Sequence, residues 1–431
     1  MNKYGHIIKF ERIRQNLKQV QLSEGICTPS YLSRIENNSI APTDEVLLEL
    51  FKRLDITYSN SSLTDEEFLE KVRTIYSKAL KYRDSNWVSI SLTGILESNN
   101  LLSNPKHFHT YILKLIRLKI ISKNNQGILD DIHSYILSIS KFVADFDPYH
   151  SFLYYSCLGY FNYYKNDLTK SLHCLEKAAL LIPVCKLEEF ESADFYNVFG
   201  ILNLYHNNLI VSLESFSKAQ VFFNKELLLK RAVETYISSA IAYKRAGNFE
   251  KNFENLSLAE KLAKEENMTE NLALICSNLA NYYSLNNNVD LALINFHKSL
   301  NLSHNPIIKL RIIYSIVLQY SMTYNYNKVV EWCEKGLTVY NSNQSELTTN
   351  FNHHFLIHLS IHNGYEDFEN IVMKALQYFE EIKDYRNAHK YSILLANFFN
   401  TASKYKKATQ YFVMANEFLA KTENRQYTED L

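Results

Sequence analysis

The chain has 431 residues, room for more than one domain, and its 46 Lys and Arg are balanced by 46 Asp and Glu. No overall positive charge advertises nucleic acid, no apolar run approaches the roughly eighteen residues of a membrane span, and the opening residues do not read as a signal peptide, so the sequence predicts a soluble, cytoplasmic protein. The six cysteines, scattered from Cys27 to Cys333 without a C-x-x-C pair, suit reduced thiols better than a disulfide frame or a zinc site.

Only nine glycines and six prolines punctuate the chain, which predicts long helices and an all-α fold. Residues 1–59 read as five short helices, at roughly 5–16, 18–24, 29–37 and 44–54 with a weak segment after Thr57. Positive charge is concentrated here: residues 1–38 hold six Lys or Arg against three acids. In the second helix Val20 and Leu22 are expected to face inward, and Gly25 marks a sharp backbone turn. Thr28 and Pro29 supply an N-cap and a first helical residue. Behind them Leu32 and Ile35 face the core, leaving Ser30, Tyr31, Ser33, Arg34 and Asn37 toward solvent. A polar, hydrogen-bonding helix face beside an Arg is what a reader of the DNA major groove needs. Thr28, Ser30, Tyr31 and Arg34 are candidates for base edges, and Lys18, Gln19 and Asn37 for phosphates.

The run from Ile8 to Thr43, with I-x-x-x-R-I-R, Q-x-x-L, G-I-C, Y-L-S-R-I-E-N-N and A-P-T in order, resembles a Cro/repressor-type helix-turn-helix. Its G-I-C-x-x-S-Y-L-S-x-I-E wording resembles the subgroup fused to helical repeats, the RRNPP-type peptide-pheromone receptors (the Rgg, Rap, NprR, PlcR and PrgX group). The resemblance implies that Arg12 and Glu36 form a structural salt bridge, so Arg12 reads as scaffold before phosphate contact.

We assign residues 1–59 to a helix-turn-helix domain, 60–67 to a linker that continues the polar stretch from Tyr58, and 68–431 to repeats. In Leu158–Pro183 a tetratricopeptide-like pattern is plain: Leu158-Gly159 where the first helix needs a small residue, Asn166-Asp167 at the turn, Ser171, Leu175 and Ala178 along the second helix, and Pro183 as terminator. The Ala178 position recurs at Ala219, Ala259, Ser299, Gly336, Ala375 and Ala415, at intervals of 37 to 41 residues. Turn residues keep step at Asn207-Asn208, Gly247-Asn248, Asn287-Asn288, Asn325-Tyr326, Gly364-Tyr365 and Lys404-Tyr405, and second-helix aromatics at Phe216, Phe296 and Phe412. These are seven hairpins, with two poorer matches upstream at Phe68–Leu102 and Phe108–Val143. No such unit buries its apolar face alone, so the hairpins are expected to stack into a right-handed superhelix with a concave inner wall.

In repeats of this type the inward positions of the first helix are known by register. They give Asp194, Asn197, Ile201 and Tyr205 in one hairpin and Glu234, Ile237, Lys244 and Arg245 in the next. Ser277 and Asn281, then Arg311, Tyr314 and Leu318, and later Lys390, Asn397 and Asn400 complete the set. From these, Asn197, Tyr205, Glu234, Lys244, Arg245, Asn281, Arg311, Tyr314 and Asn397 are the peptide-binding candidates. An Asn amide can both give to and accept from an extended peptide backbone. The cations suit an acidic side chain or terminal carboxylate, and Glu234 or Asp194 a basic one.

His353, His354, His358 and His362 sit at a spacing able to hold a metal, but they have no cysteine or carboxylate cluster beside them and read as packing or groove residues. No Walker loop, G-x-G-x-x-G, H-E-x-x-H or G-x-S-x-G is present, so no catalytic residue, metal or cofactor is expected and the protein is not expected to be an enzyme. The resemblance implies a cytoplasmic transcriptional regulator controlled by a short signalling peptide in quorum sensing. One such DNA-binding unit reads a half-site, so a homodimer on an inverted-repeat operator is expected. The alternative is a repeat domain that docks a protein partner such as a response regulator, with or without phosphatase-like activity.

Overall fold

The computed structural model describes residues 4–57, 63–98, 100–122, 128–362 and 367–423, and among them every regular element is a helix. They form two compact units, Met1–Leu262 and Ala263–Leu431.

The first unit opens with α1 (Gly5–Arg14), α2 (Gln19–Ser23), α3 (Pro29–Glu36) and α4 (Asp44–Arg53). Ile8, Phe10, Leu22, Leu32, Ile35, Leu50 and Phe51 close its core. Thr28 caps α3, its hydroxyl accepting from the Tyr31 amide at 3.2 Å with Pro29 at the first helical position, and Gly25 turns with φ +74°. Val20, expected inside, stands 64% exposed. Two residues apart on a helix point to nearly opposite sides, so Val20 and Leu22 cannot both face the core. The weak helix expected after Thr57 and the start of the assigned linker fall on residues 58–62, outside the described residues.

Two helix pairs follow, α5 (Asp65–Tyr82) with α6 (Ser85–Glu97) and α7 (Pro105–Ser122) with α8 (Ile128–Ile139), where the poorer repeat matches lie. Thr64 and Glu67 form a reciprocal capping box at the start of α5. Helix α1 is packed onto these pairs: the Phe10 ring meets Phe108 and Tyr135 edge-on at 5.4 and 5.6 Å, and His6 Nε2 lies 2.9 Å from the Leu102 carbonyl. The helix-turn-helix thus shares a continuous apolar core with the helices that follow it.

The regular hairpins are α9 (Pro148–Tyr164) with α10 (Leu168–Leu181), α11 (Glu189–Tyr205) with α12 (Leu209–Lys225), and α13 (Leu229–Arg245) with α14 (Phe249–Glu265), whose last residues enter the second unit. The second unit continues with α15 (Thr269–Leu285) and α16 (Val289–Leu302), α17 (Pro306–Met322) and α18 (Tyr326–Asn341), α19 (Thr349–His362) and α20 (Phe368–Glu381), and α21 (Tyr385–Thr401) and α22 (Tyr405–Glu423). These are the seven hairpins of the repeat.

Sequence and packing meet at the small residues. Ala178, Ala219, Ala259, Ser299, Ala375 and Ala415 are fully buried. A Cβ added at Gly159 would stand 2.4 Å from Leu175, and one at Gly336 2.4 Å from Phe355, so helix contact at these points leaves no room for a methyl group. The same close approach is stitched by a recurring bond from second helix to first: Ser171 Oγ to the Gly159 carbonyl, Ser212 Oγ to Gly200, and Asn252 Nδ2 to Ala240, at 2.8, 2.8 and 2.7 Å. Asn166, Asn207 and Asn287 take the left-handed backbone their turns require. The expected turn at Gly364-Tyr365 lies outside the described residues. Phe216 and Phe296 are fully buried as expected, but Phe412 is 37% exposed and does not belong to the core.

Candidate DNA-reading face and repeat inner faces

Glu36 is the fixed point of the helix-turn-helix. It is buried, and its carboxylate accepts from Arg12 Nε at 2.5 Å, Arg12 Nη2 at 2.9 Å and Gln19 Nε2 at 2.8 Å. Arg12 also gives Nη1 to the Leu17 carbonyl at 2.8 Å, so the scaffold role that the resemblance implied for it is the geometry found. A bidentate guanidinium–carboxylate pair is directional, and it locks α1, α2 and α3 into one register. Arg53 of α4, which the sequence reading missed, bonds the Leu22 carbonyl at 3.1 Å and also the Glu24 carbonyl, holding the end of α2 at the Gly25 turn.

Outside this network Lys18, Thr28, Ser30, Arg34 and Asn37 are exposed, and Tyr31 is half-buried. Gln19 is half-buried and gives one amide N–H to Glu36, so its side chain braces the fold while its second N–H and its carbonyl oxygen make no hydrogen bond among the described residues. Arg34 and Ser30 share the exposed side of α3 four residues apart, a width suited to adjacent base edges.

In the first unit the inner-face candidates have mixed fates. Asp194, expected to be open to a basic ligand, is buried and taken by three arginines. Arg83, in left-handed backbone at the end of α5, reaches it through Nε at 3.0 Å and also through Nη2, Arg117 of α7 through Nη2 at 2.7 Å, and Arg231 of α13 through Nη2 at 3.1 Å. Burial raises a carboxyl, yet the three guanidinium groups hold Asp194 well below its ordinary range, while burial and the nearby Arg83 lower Arg231 to about 10. Arg117 lies on the face of the Tyr160 ring at 3.6 Å. Helix α5 also pairs Arg73 with Glu188 and Lys81 with Glu226, so it lies along the repeat helices and covers part of their face.

Asn197 is buried, with its Oδ1 accepting from Thr235 at 3.2 Å, and so serves the packing of α11 on α13. Glu234 is partly exposed and 3.8 Å from Arg231. Lys244 is half-buried, its pKa lowered by burial and by Arg245, and Arg245 gives Nη1 to the Leu204 carbonyl at 2.5 Å. Tyr205 is 57% exposed beside Tyr163.

In the second unit the first helices of successive hairpins stand side by side. Asn281 is half-buried, and Arg311 and Asn397 are exposed. Tyr314 of α17 stacks on His354 of α19, rings 4.5 Å apart and nearly parallel, and its hydroxyl lies 3.2 Å from that of Tyr391 on α21. His354 Nδ1 is 2.6 Å from the same Tyr391 hydroxyl, and Lys390 Nζ donates to Tyr314 at 2.8 Å. His353 stacks on Tyr378. The first two histidines of the run are therefore packed among aromatic rings, and the described residues hold no cluster of His, Cys and carboxylates arranged for a metal.

A helix-turn-helix family model matches residues 8–59. The transcriptional activator NprA of Geobacillus stearothermophilus is 25% identical over 406 residues, spanning 92% of this chain and 98% of that protein. Among solved structures, the apo form of the quorum sensor NprR from B. thuringiensis matches with a TM-score of 0.73 at 16% identity, covering 82% of this chain and 99% of that one. NprR in complex with its cognate peptide NprX matches over the same shares at 16% identity with a TM-score of 0.58. The chain thus carries a helix-turn-helix at its head, is similar along almost its whole length to a transcriptional activator, and shares the helical-repeat fold of these solved structures.

Proposed function

We propose that this protein is a cytoplasmic transcriptional regulator that reads DNA through α3 and binds a short signalling peptide on its repeats. The observation that carries the reading is the α3 face: Thr28, Ser30 and Arg34 are exposed on a helix whose orientation is fixed from behind by the buried Arg12–Glu36–Gln19 network. Support comes from the similarity to a transcriptional activator and from a structural neighbour solved in complex with its cognate peptide. That relative also favours a regulator over an enzyme. One reading head spans a half-site, so we propose a homodimer on an inverted repeat. The peptide acts by binding one geometry of the repeats better than another, and differential affinity of a few kcal/mol suffices.

The test is selection of duplexes from a random pool by the full-length chain, followed by sequencing. The expected result is an inverted repeat of a short half-site; a bound pool with no enriched sequence would sink the DNA-reading assignment. Arg34→Ala is expected to relax preference at one base position and to cost roughly 1–3 kcal/mol on the selected site. Lys18→Ala is expected to weaken all sequences about equally and to lower the salt slope by about one.

A further inference from the structure

We propose that Lys390 and Tyr314, with Arg311 beside them, form a carboxylate-binding subsite on the inner face of the second unit, specific for an acidic side chain or the free C-terminus of the peptide. The proposal rests on the peptide-binding reading above and specifies the ligand's chemistry.

The argument starts from hydrogen-bond direction. An ammonium has only donors, so at 2.8 Å from Lys390 Nζ the Tyr314 oxygen must accept. Its own hydrogen is then left for Tyr391, whose oxygen lies 3.2 Å away, and the Tyr391 hydrogen is left for His354 Nδ1 at 2.6 Å. His354 is buried, which holds its pKa down to about 3, so the ring is neutral and has one nitrogen free to accept. Burial likewise keeps the Tyr391 phenol protonated. With the neutral His354 in the tautomer that leaves Nδ1 free to accept, every donor in the series Lys390, Tyr314, Tyr391 points inward, and the series ends in a neutral acceptor.

The consequence is a cation fixed in place without being neutralised. Lys390 is exposed, spends one N–H on a phenol, and makes no ion pair with a carboxylate among the described residues; the same holds for Arg311. Some exposed lysines of this unit find acids, as Lys328 and Lys335 share Glu331, Lys407 takes Glu369 and Lys421 takes Glu380, while Lys298, Lys374 and Lys383 pair with none among the described residues; what sets Lys390 apart is the phenol that orients it. The Tyr314 ring is clamped by stacking on His354, so the phenol that orients the ammonium is itself rigid. Arg311 precedes Tyr314 by three residues and Asn397 follows Lys390 by seven, placing a guanidinium and an exposed amide on the same helix faces. A pre-oriented ammonium with two uncommitted N–H groups beside a guanidinium matches a carboxylate, and it binds at lower entropic cost than a freely rotating lysine.

The test uses the immobilised full-length chain and a synthetic library of random peptides of about seven residues, made once with free C-termini and once as C-terminal amides, with retained peptides sequenced by mass spectrometry. The expected result is retention by the native chain with enrichment of either an acidic residue at one position in both libraries or free acids over amides; these two patterns separate the two sources of carboxylate. Lys390→Gln and Tyr314→Phe are each expected to lower that enrichment about tenfold, with the thermal melting of Lys390→Gln unchanged. Peptides retained with no acidic or free-terminus preference, or an enrichment that survives Lys390→Gln, would overturn the subsite while leaving the peptide reading standing. If the native chain retains nothing from either library, the peptide reading fails and the subsite with it.

Discussion

Asp194 and Lys390 both stand on the first helix of a repeat hairpin, at positions where the repeat register expects contact with ligand, yet their surroundings are opposite. Asp194 is buried under three guanidinium groups delivered by α5, α7 and α13, whereas Lys390 stays exposed and among the described residues meets tyrosines but no acid. The difference shows what an inward position can be used for. Where another element covers the face, a charge must be compensated inside the protein or it is not tolerated, and it becomes part of the fold. Where the face is left open, a charge needs no internal partner and is available to something else.

Removing the carboxylate tests the first half of this contrast and should give the largest effect. Asp194→Ala leaves Arg117 buried without its anion and Arg231 with only the more exposed Glu234 at 3.8 Å, and breaking such a centre typically costs about 3–5 kcal/mol. Hydrogen–deuterium exchange is expected to rise in α5, α7, α11 and α13 while α17 and α19 keep their protection. A variant with unchanged exchange in α5 would mean that the centre does not hold that helix on the repeats. Arg83→Met should cost less, since Arg83 is the most exposed of the three arginines.

Acid offers a second way to separate the two regions. Burial lowers His6 and His109 of the first unit to about 4. In the unfolded chain each takes a proton near pH 6.5, so between about 6.5 and 4 the unfolded state binds more protons and stability falls as pH falls. At about 1.4 kcal/mol per pH unit of depression, each histidine contributes a loss of roughly 3 kcal/mol by pH 4. Asp194 adds little to the loss in this window, because its depressed carboxyl costs stability only once the unfolded carboxyl, with an ordinary value of 3.8, begins to take a proton. In the second unit His354 is lowered further, to about 3, so its contribution is still being lost when those of His6 and His109 are exhausted. Urea titrations at pH 7, 5.5 and 4 should show the decline, and His6→Gln should flatten it; a flat profile in the native chain contradicts the buried neutral histidines.

A smaller effect is expected from Tyr391→Phe. The change keeps the ring but leaves buried His354 Nδ1 without the hydroxyl at 2.6 Å, a loss of about 1–3 kcal/mol. Exchange should rise in α19 and α21 only, and peptide retention should fall with it because Tyr314 loses the acceptor that orients its hydrogen. Unchanged exchange in α19 would argue that the polar series is incidental.

These contrasts also mark how far the sequence could be read. The seven hairpins were legible because close helix contact demands a small residue once per repeat, and Ala178, Ala219, Ala259, Ser299, Gly336, Ala375 and Ala415 mark those contacts. The Arg12–Glu36 pair was legible through resemblance. The lock on Asp194 was not, since Arg83, Arg117 and Arg231 come from three separate elements and two of these lie outside the regular repeats, where register says nothing. The series through Tyr314, His354 and Tyr391 did leave a trace, as the three residues sit about one repeat apart. It was obscured because a histidine run reads equally well as packing, which is also what His353 does against Tyr378. Val20 follows helical phase rather than hydrophobicity: two residues from the buried Leu22, it falls on the opposite, exposed side of α2.

The sharpest form of the comparison is the variant expected to do least to the fold. Lys390 is exposed and contributes one hydrogen bond to an oxygen that solvent can also reach, so Lys390→Gln should shift stability by no more than about 0.5 kcal/mol, in line with surface substitutions away from special features. Glutamine still offers an N–H to Tyr314, and only the charge is lost. If Lys390 were structural in the way Asp194 is, its removal would open α21 and α17 to exchange as Asp194→Ala opens α5. A variant that melts with the native chain yet retains fewer acidic peptides assigns the ammonium to ligand alone, and one that melts several degrees lower places it with Asp194 among the charges the fold itself requires.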